Sequence, residues 1–250
     1  MHFRFDQTVI TINQPDRATL LATVRDRLSR DLGFALATIN LDHVVKLGTS
    51  AAYRTAYAQH DLVVADGNPI VWLSRLAGKP VSLVPGSDMV VPLCTLMADM
   101  GLPVSLVGTT DDALAKAAAS LRAQVPGLRI GAMISPRFGF DPVGAEAGEI
   151  MAQVAALGPG LCLLALSAPK QEMLAAFGRH ASPHTGFAGF GAGLDFLAGH
   201  QQRAPAWMRA VALEWVWRAV TSPRRMIPRY AACAAVLPQQ ALAALRLRFD

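Results

Sequence analysis

Four groups of residues in this chain have the types and spacing to do chemistry. LVVADG (residues 62–67) is an apolar run that stops abruptly at Asp66 and Gly67. A carboxylate fixed at such a strand end can take a proton from an incoming hydroxyl. The competing reading is an Asx turn with Gly67, which these residues alone favour. SAPKQE (residues 167–172) follows the most apolar run of the chain and opens a helical pattern. Its free N–H groups suit a phosphate, although an ordinary βα loop accounts for it equally well. GFGAG (residues 189–193), followed by Asp195, lets the backbone approach a ligand closely. It could also be no more than a tight strand-to-helix turn. The fourth group is a Trp/Arg stripe: Trp207, Arg209, Trp215, Trp217, Arg218, Arg224, Arg225 and Arg229. Such a stripe packs with a solvated basic face or lies on an anionic membrane.

Other chemistries fit poorly. The glycine spacing is not G-x-G-x-x-G and follows a late strand, so a dinucleotide-dependent oxidoreductase is disfavoured. Glu214, where a ribose-binding acid would fall, sits among Trp residues. Asp111 and Asp112 follow two Thr and precede an alanine-rich helix, which suits a helix cap and dipole better than a metal. His180 and His184 are separated by Pro183, and no Cys/His cluster exists, so no metal and no cofactor are expected. Ser167 lacks a nucleophile-elbow context. A Tyr-x-x-x-Lys arrangement is absent, which disfavours an epimerase.

The elements that must position these groups follow from periodicity. Apolar or β-branched runs at residues 8–12, 34–40, 62–67, 103–108, 128–134, 160–166 and 185–190 read as strands. Helical patterns at about 16–28, 41–59, 68–77, 87–100, 110–124 and 142–157, and another after the SAPKQE loop, separate them. The alternation predicts an α/β fold with a Rossmann-like, mainly parallel sheet flanked by helices. Ligands of such sheets bind beyond the carboxyl ends of the strands. Thr38, Asn40, Asp66, Gly67, Gly108, Gln171 and Asp195 fall at those ends.

The 250 residues carry a net charge of +5, unevenly placed. From Arg203 onward there are eight Arg and two acids, whereas the preceding 202 residues hold 15 basic and 16 acidic side chains. The expected division is therefore an α/β domain over residues 1–200 and a helical, basic, membrane-facing appendage over 201–250. A near-neutral body argues against a nucleic-acid groove. Three scattered Cys in apolar contexts read as buried thiols of a reducing compartment. Neither a signal-peptide core nor an apolar run of spanning length, about 18–20 residues, is seen.

Taken together, TIN with a following Asp-His, ADG, PGSD, VG, PKQE, LDFLAG, RAP, LEW and PRR…RY occur in an order that resembles the WecB/TagA/CpsF glycosyltransferases, glycosyltransferase family 26. The resemblance spans about residues 38–230. It implies an inverting, metal-independent transferase that moves a sugar from a UDP-sugar to a polyprenyl-diphosphate-linked saccharide at the cytoplasmic membrane face. Known donors of such enzymes carry N-acetylmannosamine, its uronic acid or glucose. The resemblance makes Asp66 the catalytic base and places Thr38 and Asn40 beside it, orienting sugar hydroxyls. Gln171 falls near the diphosphate. Gly191, Gly193 and Asp195 fall near the nucleotide pocket. Gly67, Gly86, Asp88 and Gly108 fall on substrate-binding turns, and Arg203 and Arg218 on the appendage that completes the site. Two departures stand out: Leu83 where many members carry Arg, and Ser167 where many carry Gly. They support one alternative, a catalytically weak nucleotide-sugar-binding subunit of a polysaccharide assembly complex. Homo-oligomerisation stays open.

Overall fold

The computed structural model describes residues 1–200, 204–205, 207–208 and 213–249. Strands β1 (His2–Phe5) and β2 (Thr8–Thr11) form an antiparallel hairpin apart from the main sheet. Asp16 caps helix α1 (Arg17–Ser29), its carboxylate accepting from the Thr19 N–H at 2.8 Å. Then come β3 (Phe34–Ile39), α2 (Leu41–Thr49) and α3 (Ala51–Ala58). The single helical stretch expected at 41–59 is two helices. Ser50 adopts an extended backbone between them, and its hydroxyl caps α3. Next are β4 (Leu62–Ala65), α4 (Asn68–Leu76), α5 (Gly86–Met100), β5 (Val104–Gly108) and α6 (Asp111–Gln124). They are followed by β6 (Ile130–Ile134), α7 (Ala145–Ala155), β7 (Gly160–Ala165), α8 (Lys170–Ala181), β8 (Thr185–Gly189) and α9 (Gly193–Leu197). Beyond these lie α10 (Glu214–Thr221) and α11 (Pro223–Arg246).

The main sheet has the order β4-β3-β8-β7-β5-β6, and every pairing in it is parallel. Every residue of β3, β4, β5, β7 and β8 is buried, as strands covered on both faces must be. One core packs α1, α5 and α6 on the sheet through Leu20, Val24, Leu93, Met97, Leu114 and Leu121. The opposite core packs α7 and α8 through Ile150, Met151, Val154 and Leu174. The chain leaving β3 enters α2, which packs with the hairpin, α3 and α4. The chain leaving β8 enters α9, whose Leu194 joins the α5–α6 core. Neighbouring strands whose continuations diverge open a crevice at their carboxyl ends.

Two features hold this frame. The Asp61 carboxylate binds Arg27 at 2.9 Å, Arg179 at 3.0 Å and the Ala35 N–H at 2.9 Å, tying α1, α8 and β3 together. The terminal helix α11 lays Cys233, Val236, Leu237, Ala241 and Ala244 against the apolar cluster of α2 and α4. Its other side exposes Ile227 and Leu242 to solvent.

Candidate active site

Asp66 follows β4 directly, and its N–H donates to the Ile39 carbonyl at 2.8 Å. This bond registers the end of β4 against the end of β3 and sets Asp66 beside Asn40. Asn40 caps α2, its carbonyl oxygen accepting from the His43 N–H at 3.0 Å. That bond fixes the amide orientation and leaves the NH2 to hydrogen-bond the Asp66 carboxylate. Asn40 thus acts on Asp66 as well as capping α2. Burial pushes the Asp66 carboxyl up to about 6. The Arg218 charge pulls against that, Glu214 pushes with it, and the Asn40 bond and Arg229 pull it down further. A carboxyl poised near the operating pH and held by a fixed amide is equipped to act as a general base.

Around it the turns converge. Gly67, at φ +112°, starts α4 with no side-chain cap, and Gly86 starts α5 in the same way. Ile70 and Asp88 already donate to the Gly67 and Pro85 carbonyls and Pro69 has no N–H, so the N–H groups a ligand would meet are those of Asn68, Gly86 and Ser87. Gly86 sits between Thr38 and Phe190: a Cβ there would lie 3.2 Å from Thr38 Cγ2 and 2.9 Å from Phe190 Cδ1. Thr38 is buried on β3, and Asp88 lies in the first turn of α5. Gly193 packs on Ser87 and Phe190, so the 189–193 loop faces the start of α5. The Gly191 N–H donates to Gln171 Oε1 at 2.8 Å. Thr38, Asn40, Asp66, Gly67, Gly86, Gln171, Gly191 and Gly193 therefore line one edge of the sheet.

Gly108 and Asp195 meet one step along that edge. Gly108, at φ +125°, would drive a Cβ to 2.3 Å from the Ala165 carbonyl oxygen, so no other residue fits. The following Thr109 donates its hydroxyl to the Asp195 carboxylate at 2.6 Å, joining β5 to α9.

The cations come from the C-terminal helices. Arg218 pairs with Glu214 within α10 at 2.6 Å, and its guanidinium lies 5.9 Å from the Phe196 ring centroid. It bridges α10 to α9 while its charge acts on Asp66. Glu214 is thus the partner of a site arginine. Arg229 pairs with Asp42 at 3.1 Å and also acts on Asp66. Trp215 meets Tyr230 edge to face, fastening α10 to α11. Arg203 lies outside the described residues. Leu83 is 40% exposed just before α5. Among the described residues, no group of three or more His, Cys, Asp or Glu is gathered to hold a metal.

The sequence alone assigns no role to His43 or Glu172, which it carries only inside motifs, or to Tyr53 and Tyr57; the four form a buried polar cluster beneath this edge. Glu172 Oε1 lies 3.7 Å from His43 Nε2, and the Tyr53 phenol lies against the same carboxyl. Burial raises Glu172 to about 7 and depresses His43 to about 3. A signal existed. Glu172 falls on the buried arc of α8 with Ala175 and Ala176, three and four residues on.

Two comparisons with known proteins bear on this arrangement. A family model described as Glycosyl transferase WecG/TagA/CpsF family matches residues 6–249. The chain is 27% identical over 209 residues to the N-acetylglucosaminyldiphosphoundecaprenol N-acetyl-beta-D-mannosaminyltransferase of Bacillus spizizenii, covering 81% of this chain and 79% of that protein.

Proposed function

The chain belongs to the WecG/TagA/CpsF family of glycosyl transferases, and from that premise we propose an inverting, metal-independent transfer from a UDP-sugar to a polyprenyl-diphosphate-linked saccharide. The product would serve cell-surface polysaccharide or teichoic-acid-type synthesis. The observation that carries the reading is Asp66. It is a half-buried carboxyl pushed up to about 6, anchored by Asn40 and acted on by Arg218 and Arg229.

In this reading the acceptor hydroxyl attacks the anomeric carbon as the bond from that carbon to the UDP oxygen breaks. The proton passes to Asp66, and the electron pair leaves with UDP. The uncapped first turns of α4 and α5 and the Arg218 guanidinium stabilise the departing diphosphate. Thr38, Gly86 and the 189–193 loop shape the donor pocket. The relative's name specifies an acceptor with N-acetylglucosamine on a prenyl diphosphate and an N-acetylmannosamine donor group. This pair is the first to test.

Residues 201–250 are assigned to the membrane, with the protein peripheral on its cytoplasmic face. Trp207, Trp215, Ile227, Leu242 and Phe249 are exposed, and Arg224 and Arg225 are exposed among them. Aromatic and apolar side chains beside arginines suit an anionic headgroup layer. No helix of the described residues is long and apolar enough to cross a membrane.

The test supplies UDP-N-acetylmannosamine, its uronic acid or UDP-glucose with a synthetic prenyl-diphosphate N-acetylglucosamine acceptor. UDP release together with a glycosylated lipid is the expected result. Nucleotide-sugar binding with no transfer from any of the three would overturn it and favour a non-catalytic binding subunit, the reading that Leu83 and Ser167 support.

A further inference from the structure

Glu172 is 1% exposed, in the first turn of α8. Taking a carboxyl out of water costs several kcal/mol, on the order given by ion desolvation, unless its partners repay it. The partners are specific. Glu172 Oε1 accepts from Gln171 Nε2 at 2.8 Å, and Gln171 Oε1 accepts from the Gly191 N–H at 2.8 Å. A carboxamide has one donating end and one accepting end. If it turned over, Gln171 would set its NH2 against the Gly191 N–H, donor against donor. The Glu172 carboxyl forbids this by requiring the NH2 for itself. The space is close as well: a Cβ at Gly189 would lie 3.0 Å from Gln171 Cδ and 3.1 Å from Nε2. The loop therefore lies directly on the amide.

We propose that Glu172 is a positioning residue of the transfer site: by orienting the Gln171 carboxamide it fixes the 189–193 loop against the start of α5. The proposal rests on the reading of that loop as part of the donor pocket. Glu172 touches neither donor nor acceptor and acts through Gln171. His43 Nε2 lies 3.7 Å from the same Oε1, and the Tyr53 phenol lies against the carboxyl. Lys46 donates to the Ala168 carbonyl at 3.1 Å, holding the segment before α8 to α2. The relay therefore runs from the α2–α3 pocket through the start of α8 to the glycine loop.

The test compares Glu172→Met with Glu172→Gln. Methionine keeps the volume and removes the acceptor, leaving the Gln171 NH2 without its partner. Glutamine keeps an accepting oxygen for Gln171. Hydrogen exchange of the 186–195 peptide and steady-state transfer are measured on the full chain. In Glu172→Met the Gly191 amide should exchange about tenfold faster, with β3 and β5 unchanged. Donor KM should rise about tenfold, as for one lost hydrogen bond to a charged group, with a smaller fall in kcat. Glu172→Gln should restore both to within about threefold of the parent, since it keeps the accepting bond.

Unchanged loop exchange in Glu172→Met would overturn the proposal. So would Glu172→Gln showing the same KM defect as Glu172→Met. If Glu172→Met does not accumulate folded, Gln171→Leu carries the same exchange test, since it removes the bond to Gly191 directly. The exchange readout needs no turnover. A chain that transfers no sugar yet loosens its loop in Glu172→Met refutes the transferase reading and leaves the relay standing.

Discussion

Replacing Asp66 by Asn separates catalysis from stability in opposite directions. Burial raises the Asp66 carboxyl from 3.8 to about 6. Between these values the folded chain keeps a proton that the unfolded chain has lost, so stability falls as pH rises through this window. Above about pH 6–7 the folded state carries the whole penalty, about 3 kcal/mol at most for a shift of about two units. The carboxyl is only half-buried, so ~1–3 kcal/mol is the expected range. Asn is nearly isosteric and cannot ionise, and its oxygen can still accept from the Asn40 amide. Asp66→Asn should therefore melt higher than the parent at pH 8, by about 2–10 °C for a chain of this size, and alike at pH 4. Its transfer rate should fall by about 10²–10⁴, the range for loss of a general base. In the parent, kcat/KM should climb with pH to an inflection near 6 and then level; the variant should lack that limb. Thermal melts from pH 4 to 8 alongside UDP release supply both halves. Wild-type turnover in Asp66→Asn, or an equal loss of stability at every pH, would refute the reasoning.

Arg218→Ala should lower kcat by about 10²–10³, the scale for loss of one group that stabilises transition-state charge. It should also move the acid limb of the pH profile upward, because a cation that lowers Asp66 is gone; an unmoved limb would detach Arg218 from the base. Asp61→Ala should cost about 3–5 kcal/mol in chemical denaturation, since two arginines and the Ala35 N–H lose a shared partner; a loss under about 1 kcal/mol would mean that solvent already screens the cluster. Reversing the exposed charges (Arg224→Glu, Arg225→Glu) together with Ile227→Ser should abolish sedimentation with anionic liposomes while leaving the melting curve intact. Truncation is a poorer test, because α11 also covers the α2–α4 cluster; retained sedimentation of the triple variant would sink the membrane assignment.

The sequence reveals what burial on both faces writes into it. GLCLLA in β7 and LVVA in β4 are unbroken apolar runs because neither face meets water. The hairpin strand β1 escaped notice because HFRF mixes a charge with apolar residues and pairs outside the sheet. The break at Ser50 escaped because both halves of residues 41–59 keep helical periodicity, and a serine cap is a single-residue signal. Strand order was not legible at all. Asp66 could be read as a strand-end acid, but its tie to Asn40 depends on β4 pairing with β3, and its cations arrive from about 150 residues downstream. Glu172 was hidden by a general rule: acids in a first helical turn are usually solvated and dipole-favoured.

The division of charge along the chain acquires a reason from this geometry. Asp66, the proposed base, follows a strand whose register is fixed by backbone bonds. The cations that moderate it ride on α10 and α11, fastened by Trp215–Tyr230, Arg229–Asp42 and Arg218 over Phe196. A base left under desolvation alone would rise further and lose ionised fraction at neutral pH. Cations built permanently into the sheet edge would hold it too low to drive proton transfer. On the proposed function, carrying them on terminal helices that also present Trp215, Ile227 and exposed arginines outward would let one segment tune the base and meet the layer in which a lipid-linked acceptor resides. On this argument the arginine excess after residue 202 has two separable parts. Arg218 and Arg229 act on Asp66, and Arg224 and Arg225 are exposed, where the proposed headgroup contact would be made.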